Sequence, residues 1–155
     1  MFRAGGWQAT STTLKALEDT GFVLDSSGRT YVNFGPNRLG VPWNLSATTQ
    51  PYRPNLYNQN SSATPTMRLW EFPNNGGDSW AFSGQQMVDR FDLNYDGKFA
   101  KSRTTVNFLT HPEGFKVDKP KLELLFDHIG KNLYENDEGP VIYLNMIDVY
   151  NIYTK

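Results

Sequence analysis

The chain has 155 residues, with 15 Lys+Arg against 16 Asp+Glu and a formal net charge of -1. That length suits one domain, which buries roughly 70% of its unfolded surface, and 10 Phe, 8 Tyr and 4 Trp supply a core that excludes long disorder. The near-zero charge carries no electrostatic footprint for nucleic acid or an anionic membrane, and the absence of Cys excludes thiol catalysis, disulfides and cysteine metal sites.

In chain order, the opening Met1-Phe2-Arg3-Ala4-Gly5-Gly6-Trp7 has no apolar signal core. Residues 10–21 read as a helix capped by Thr10 or Ser11, with Leu14, Ala16 and Leu17 apolar and Gly21 as the stop. Phe22-Val23-Leu24 reads as a short strand. From Asp25 to Pro65 the chain is rich in Ser, Asn, Pro, Gly and aromatics without helical period, which suggests a long functional surface segment. Met67–Phe72 reads as a strand ended by Pro73, and Asn74-Asn75-Gly76-Gly77-Asp78 as a turn or loop. Ser83 starts a helix carrying Met87, Val88 and Phe91.

Thr105–Thr110 is the best strand signal and delivers His111-Pro112 at its C-terminal end. Asp118 opens a helix with Leu122, Leu125, Phe126 and Ile129 on one face. Val141–Leu144 reads as a last strand, followed by a terminal helix with Ile147, Val149, Tyr150 and Tyr153. Alternating helices and strands predict a single α/β domain, 1–155, with a mainly parallel sheet. No run approaches the roughly 20 apolar residues of a membrane span.

Asp92-Leu93-Asn94-Tyr95-Asp96-Gly97-Lys98-Phe99 copies the front of a calcium loop, but Arg103 stands where its twelfth-position carboxylate belongs. A cation there repels the metal, so the segment is read as a polar turn. His111 and His128 are the only histidines, and their spacing suits no local metal pair. His128 reads as a surface residue on a polar helix face. His111 ends an apolar strand, where α/β folds keep their chemistry, yet from the residues alone a structural role leads. Arg3 beside two glycines can hold a carboxylate bidentately, although a disordered terminal arginine is the simpler reading. Trp7, Trp43, Tyr52 and Trp80 offer faces on which sugars stack, whereas Trp70 sits within a strand and reads as core.

Several segments together suggest a family. Phe2-Arg3-Ala4-Gly5-Gly6-Trp7, Leu14–Phe22, Asp25-Ser26-Ser27, Pro42-Trp43-Asn44-Leu45, Pro51-Tyr52-Arg53-Pro54, Leu69–Pro73 and Val106–Pro112 follow one another along nearly the whole chain. In this order they resemble the later part of the polysaccharide deacetylases of the NodB type (carbohydrate esterase family 4-like). The resemblance implies a partial (β/α) barrel lacking its first strands, and a metal-dependent site that hydrolyses acetyl groups from a carbohydrate polymer. It implies that Arg3 orients the catalytic base and that His111 is the general acid, with Asp78 and Trp80 as the acidic and aromatic motif supporting that histidine. Trp7, Trp43 and Tyr52 join Asp78 and Trp80 as its substrate-binding set.

The family also carries an Asp-Asp pair and a His-x-x-x-His motif upstream of the Arg motif, and neither occurs in these 155 residues. The complete family domain uses a divalent metal such as zinc, for which this chain supplies no recognisable ligands. The leading expectation is therefore the C-terminal portion of such a deacetylase, inactive alone. The alternatives are a non-catalytic carbohydrate-binding protein, or a module completed by another chain or by a second copy of itself. Localisation stays open, since no signal is present and the family is often secreted or attached to the cell envelope.

Overall fold

A computed structural model of the chain describes residues 1–31, 41–98, 102–136 and 139–155. The fold is α/β, and among the described residues it is built from short parallel strands and four α-helices. Phe2 bridges Asp25 in parallel, and β1 (Leu24–Asp25) pairs in parallel with β2 (Trp70–Glu71). A bridge from Arg29 to Asn74 extends that pairing, and β3 (Gly77–Asp78) then pairs in parallel with β4 (Phe108–Leu109). The neighbours thus follow chain order, from Phe2 through β1 and the 70–78 stretch to β4. Among the described residues these strands do not close into a barrel.

Parallel neighbours need long crossovers, and helices supply two of them. α1 (Ser11–Asp19) lies between Phe2 and β1 and is capped by Thr10, whose hydroxyl accepts from Thr13 N at 3.4 Å. α2 (Gly84–Asn94) lies between β3 and β4 and starts with a capping box. Gln86 N donates to Ser83 Oγ at 3.2 Å, and Ser83 N donates back to Gln86 Oε1 at 2.8 Å. α3 (Phe115–Gly130) follows β4 and packs on α2. A Cβ on Gly84 would lie 3.0 Å from the Lys121 backbone, so the close approach of these helices favours glycine there. α4 (Met146–Thr154), capped by Asn145, ends the chain.

Two apolar clusters hold these elements. One joins Leu14 and Leu17 of α1 to Ala9, Trp7, Trp43, Met67 and Leu69. The other packs Met87, Val88 and Phe91 of α2 on Leu122, Leu125 and Ile129 of α3, with Phe82 and Phe108 against it.

The segment 74–78 takes part in strand pairing at both ends, with a bridge at Asn74 and β3 at Gly77–Asp78 on either side of a bend at Gly76. Its composition is that of a turn, but its glycines serve close contact. A Cβ on Gly76 would sit 2.6 Å from Asn107 O, and Gly77 has φ +101, in the left-handed region that favours glycine. Asn75 stitches the strands together by donating to Thr105 O at 2.8 Å and accepting from Asn107 N at 2.9 Å.

The strand expected over 141–144 reduces to Val141, which bridges Leu133, while Ile142, Tyr143 and Leu144 are exposed. Phe126 is exposed on α3 instead of joining the face of Leu122, Leu125 and Ile129. In the calcium-like segment, Asp92 lies in α2 and is engaged by His128, whose Nε2 lies 2.6 Å from Oδ1. Residues 99–101 of that segment, and 32–40 of the long aromatic-rich segment, lie outside the described residues. No helix among the described residues is long and apolar enough to cross a membrane.

Burial predicts an asymmetry on α3. Leu125→Ala, at a fully buried position, loses about 2–5 kcal/mol, whereas Leu124→Ala, on the exposed side, stays within about 0.5 kcal/mol. Urea unfolding of the two variants checks it.

Candidate functional site

Parallel strands place all their C-terminal ends on one edge, where backbone groups and side chains project past the last ladder bond. Arg3 follows Phe2, Ser26 and Ser27 follow β1, Asp78 ends β3, and Thr110-His111 follows β4. Arg3 and His111 thus each follow the C-terminal end of a parallel partner, Arg3 beside β1 and His111 beside β3, and the charge of Asp78 reaches Arg3.

At one side of the edge Arg3 is fixed by β1. Its Nε donates to Ser26 O at 2.9 Å and its Nη2 to Ser26 Oγ at 2.7 Å. Burial lowers the proton affinity of the guanidinium, against the pull of Glu71, Asp25 and Asp78. It is an anchored side chain, not a disordered terminal one.

Beneath Arg3 lie two fully buried carboxyls. Asp25 accepts from Ser27 N at 3.0 Å and Ser27 Oγ at 2.9 Å, and Glu71 Oε1 accepts from Gly28 N at 2.8 Å. Burial, then the charge and hydrogen bond of Asp25, push Glu71 well above the usual carboxylate range. Two carboxyls in one dry site cannot both ionise cheaply, so Glu71 keeps its proton. A Cβ on Gly28 would meet Glu71 Oε1 at 2.6 Å, so the acid is reached by bare backbone.

At the other side Asp78 is the centre. Its carboxylate is fully buried. Oδ1 accepts from Trp80 N at 2.9 Å, while Oδ2 faces His111 Nε2 at 3.4 Å and accepts from Tyr31 Oη at 3.3 Å. An ionised carboxylate only accepts, so the nitrogen facing it carries the proton and Nδ1 is left for a reacting group. The imidazole stacks on Trp80 with centroids 3.9 Å apart and planes at 25°.

The His111 side chain is 26% exposed and Trp80 is 49% exposed, so both reach solvent over a carboxylate that does not. Asp118 in the first turn of α3 braces this corner. It accepts from Ser79 Oγ and, at 3.1 Å, from Lys121 Nζ. Burial pushes the Asp118 carboxyl up, but these donors outweigh it and hold the group below the usual carboxylate range. Gly114 leaves room for the indole, since a Cβ there would lie 2.6 Å from Trp80 Nε1.

The other residues expected at the site lie elsewhere. Trp7 and Trp43 are core residues, 4% and 6% exposed, and neither offers a face to a sugar. Trp43 Nε1 donates to Trp7 O at 2.9 Å, and this bond and the burial hold Trp7 at φ 64, a conformation that costs a bulky residue about 1–2 kcal/mol. Tyr52 is half-buried, pairs with Glu71 through the backbone, and donates its hydroxyl to Gln59 O. It lines a separate shallow pocket of about 260 Å³.

Asp25, Glu71, Tyr31 and Asp118 belong to the edge although sequence reasoning passed over them. Asp25 and Glu71 had a signal, Asp25 as the acid that directly follows the apolar run Phe22–Leu24 and Glu71 as the lone acid inside Leu69–Phe72. Tyr31 had none, because it is one aromatic among many in its segment.

No group of three or more His, Cys, Asp or Glu among the described residues gathers to hold a metal. The acids at the edge are already engaged, Asp25 by Ser27 and Asp78 by Trp80, Tyr31 and His111. What the arrangement can do by itself is hold or deliver a proton at His111 Nδ1, beside an exposed indole.

No protein-family model, no curated protein and no solved structure matches the chain.

Two outcomes test the site. Glu71 binds its proton more tightly folded than unfolded, so its contribution is complete below the ordinary carboxylate value and is lost as pH rises through the raised folded value. Between those limits the native chain loses up to about 1.4 kcal/mol per pH unit from this group. Glu71→Gln, which keeps an acceptor for Gly28 and a donor for Asp25, flattens that slope in urea unfolding at several pH values. In the second test Gly114→Ala drives the indole off the imidazole, with unfolding free energy changed by less than about 1 kcal/mol because an exposed side chain yields. The ring-current shift of the His111 carbon-bound protons, read by NMR, disappears.

Proposed function

We propose that the chain is the C-terminal portion of a metal-dependent polysaccharide deacetylase and carries the acid side of its site. The observation that carries the reading is the group Asp78, His111 and Trp80. A histidine that reaches solvent stands on a buried carboxylate and lies flat against an exposed indole, at the C-terminal edge of parallel strands. These are the residues that the resemblance assigns to the general acid and its supporting motif. The anchored Arg3 on the same edge supports the reading too, as does the chain-order succession of parallel neighbours, which suits a piece of a (β/α) barrel.

In this reading His111 Nδ1 gives its proton to the leaving amine or alkoxide while Asp78 holds Nε2–H. Trp80 supplies a flat apolar surface for a sugar ring. The described residues gather no divalent-metal site, so this reading leaves the metal, the base and the activated water to residues outside those described.

A separate observation favours a second reading, a non-catalytic carbohydrate-binding protein. The pocket beside Tyr52 is lined by Asn44, Ser46, Thr49, Gln50 and Asn60, amides and hydroxyls without charge, which suit a neutral polyol.

Acetate release from acetylated chitin and xylan oligosaccharides separates the readings. The 155-residue chain alone releases none. The full reading frame that contains it releases acetate, and His111→Ala in that protein loses about 10²–10⁴-fold. A full-length protein that binds the oligosaccharides saturably and releases no acetate establishes the binding protein instead. Full activity retained by His111→Ala removes the acid from the proposal.

A further inference from the structure

Tyr31 converges with His111 on a single oxygen. Its hydroxyl donates to Asp78 Oδ2 at 3.3 Å, and His111 Nε2 faces the same atom at 3.4 Å. The other oxygen, Oδ1, is taken by Trp80 N–H. The carboxylate is shut off from solvent, so these donors decide how its charge is distributed. The phenol ring is held in place from two sides. Phe82 meets it edge-on at 4.9 Å and 86°, and the Arg29 guanidinium carbon lies 4.0 Å over its centroid. Burial, and then the charge of Asp78, keep the hydroxyl protonated, with Arg29 pulling the other way, so it acts as a donor at every ordinary pH.

Packing alone does not call for this hydroxyl. A phenylalanine would fill the space beside Phe82 but would give up both the hydrogen bond to the buried Arg29 and the donor to Asp78. A partly buried O–H costs free energy unless its proton finds an acceptor. The acceptor it finds is the one His111 uses. Two donors on one oxygen share its charge, and each bond is weaker than it would be alone. In a low-dielectric site, an unshared Asp78 would bind an imidazolium strongly and make it a reluctant proton donor.

We propose that Tyr31 is a positioning residue of this site: by donating to Asp78 Oδ2 it loosens the hold of Asp78 on His111, so that the imidazolium can release its Nδ1 proton to a leaving group. The inference rests on the reading of His111 as the general acid. It adds to that reading a residue that touches neither substrate nor the reacting atoms.

The His111 Nε2 nitrogen, read by NMR through the carbon-bound ring protons of the 155-residue chain, reports the bond directly. Tyr31→Phe moves it downfield as the bond to Asp78 strengthens, and Asp78→Asn moves it upfield. Site-specific 3-fluorotyrosine at position 31, which makes the hydroxyl a stronger donor with every contact in place, also moves it upfield. It keeps the test open where Tyr31→Phe does not fold. His128, bonded to Asp92, stays unmoved as the internal control.

A nitrogen that responds to Asp78→Asn but not to either change at Tyr31 overturns the role of Tyr31 and leaves the acid reading intact. A nitrogen that ignores Asp78→Asn as well overturns both, because the bond they share is then absent.

Discussion

A carboxylate closed off from water must be surrounded by donors, and this requirement at Asp78 organises the working corner of the molecule. Asp78 ends β3, and its two oxygens take up the Trp80 backbone, Tyr31 and His111. Those bonds bring together three segments that are distant in sequence, the stretch after β1, the β3 loop and the end of β4. Losing one partner of such a buried charge costs more than the bond itself is worth, because the charge is left uncompensated. The corner therefore tolerates little variation in geometry. Trp80 is fixed by its backbone on Asp78 and by the bare turn at Gly114, and His111 is fixed by Trp80 and Asp78 in turn.

The same physics works with the opposite result at Asp25 and Glu71. There two acids share one dry site, which holds a proton on Glu71 more tightly, while Ser27 donates to Asp25, Gly28 donates to Glu71 and the charge of Arg3 acts from nearby. One pair of acids thus serves as scaffold under Arg3, while the single acid at Asp78 faces a histidine that solvent can reach. The three acids are equally buried, and what sets Asp78 apart is its partner, a histidine side chain that solvent reaches. Arg3 belongs to the edge as well. A guanidinium near three acids and fastened to Ser26 by two hydrogen bonds is oriented before anything binds.

Local signals in the sequence were strong where the local physics was complete. Thr10 and Ser83 start helices because each has a hydroxyl in reach of a nearby backbone N–H, and Gly21 stops α1 with φ +89. β4 and the delivery of His111 at its end were legible, since an apolar β-rich run ends at His-Pro. The 74–78 segment failed because its composition has two uses. Asparagine and glycine make turns, and they also let two strand leads approach and hydrogen-bond through side chains. The Val141–Leu144 run failed for the converse reason. Its residues favour a strand, but beyond Val141 it has no partner ladder among the described residues, and β propensity expresses itself only against a neighbour.

By itself, the sequence determined the class of the fold, the starts of α1 and α2, the strand that leads to His111 and the lack of any thiol or local metal motif. These depend on residues within a turn or a strand of one another. The start of α3 was not among them, since it lies at Phe115 and not at the expected Asp118. Only the tertiary structure decided which aromatic residues face solvent. Trp7 and Trp43 close the core while Trp80 lies open against His111, because the burial of an indole depends on what the rest of the chain brings to it. The tertiary structure alone also decided that Asp25 lies beside Glu71, and that Tyr31 shares an oxygen with His111. Such meetings join residues tens of positions apart through parallel strand pairing, and no spacing along the chain encodes them.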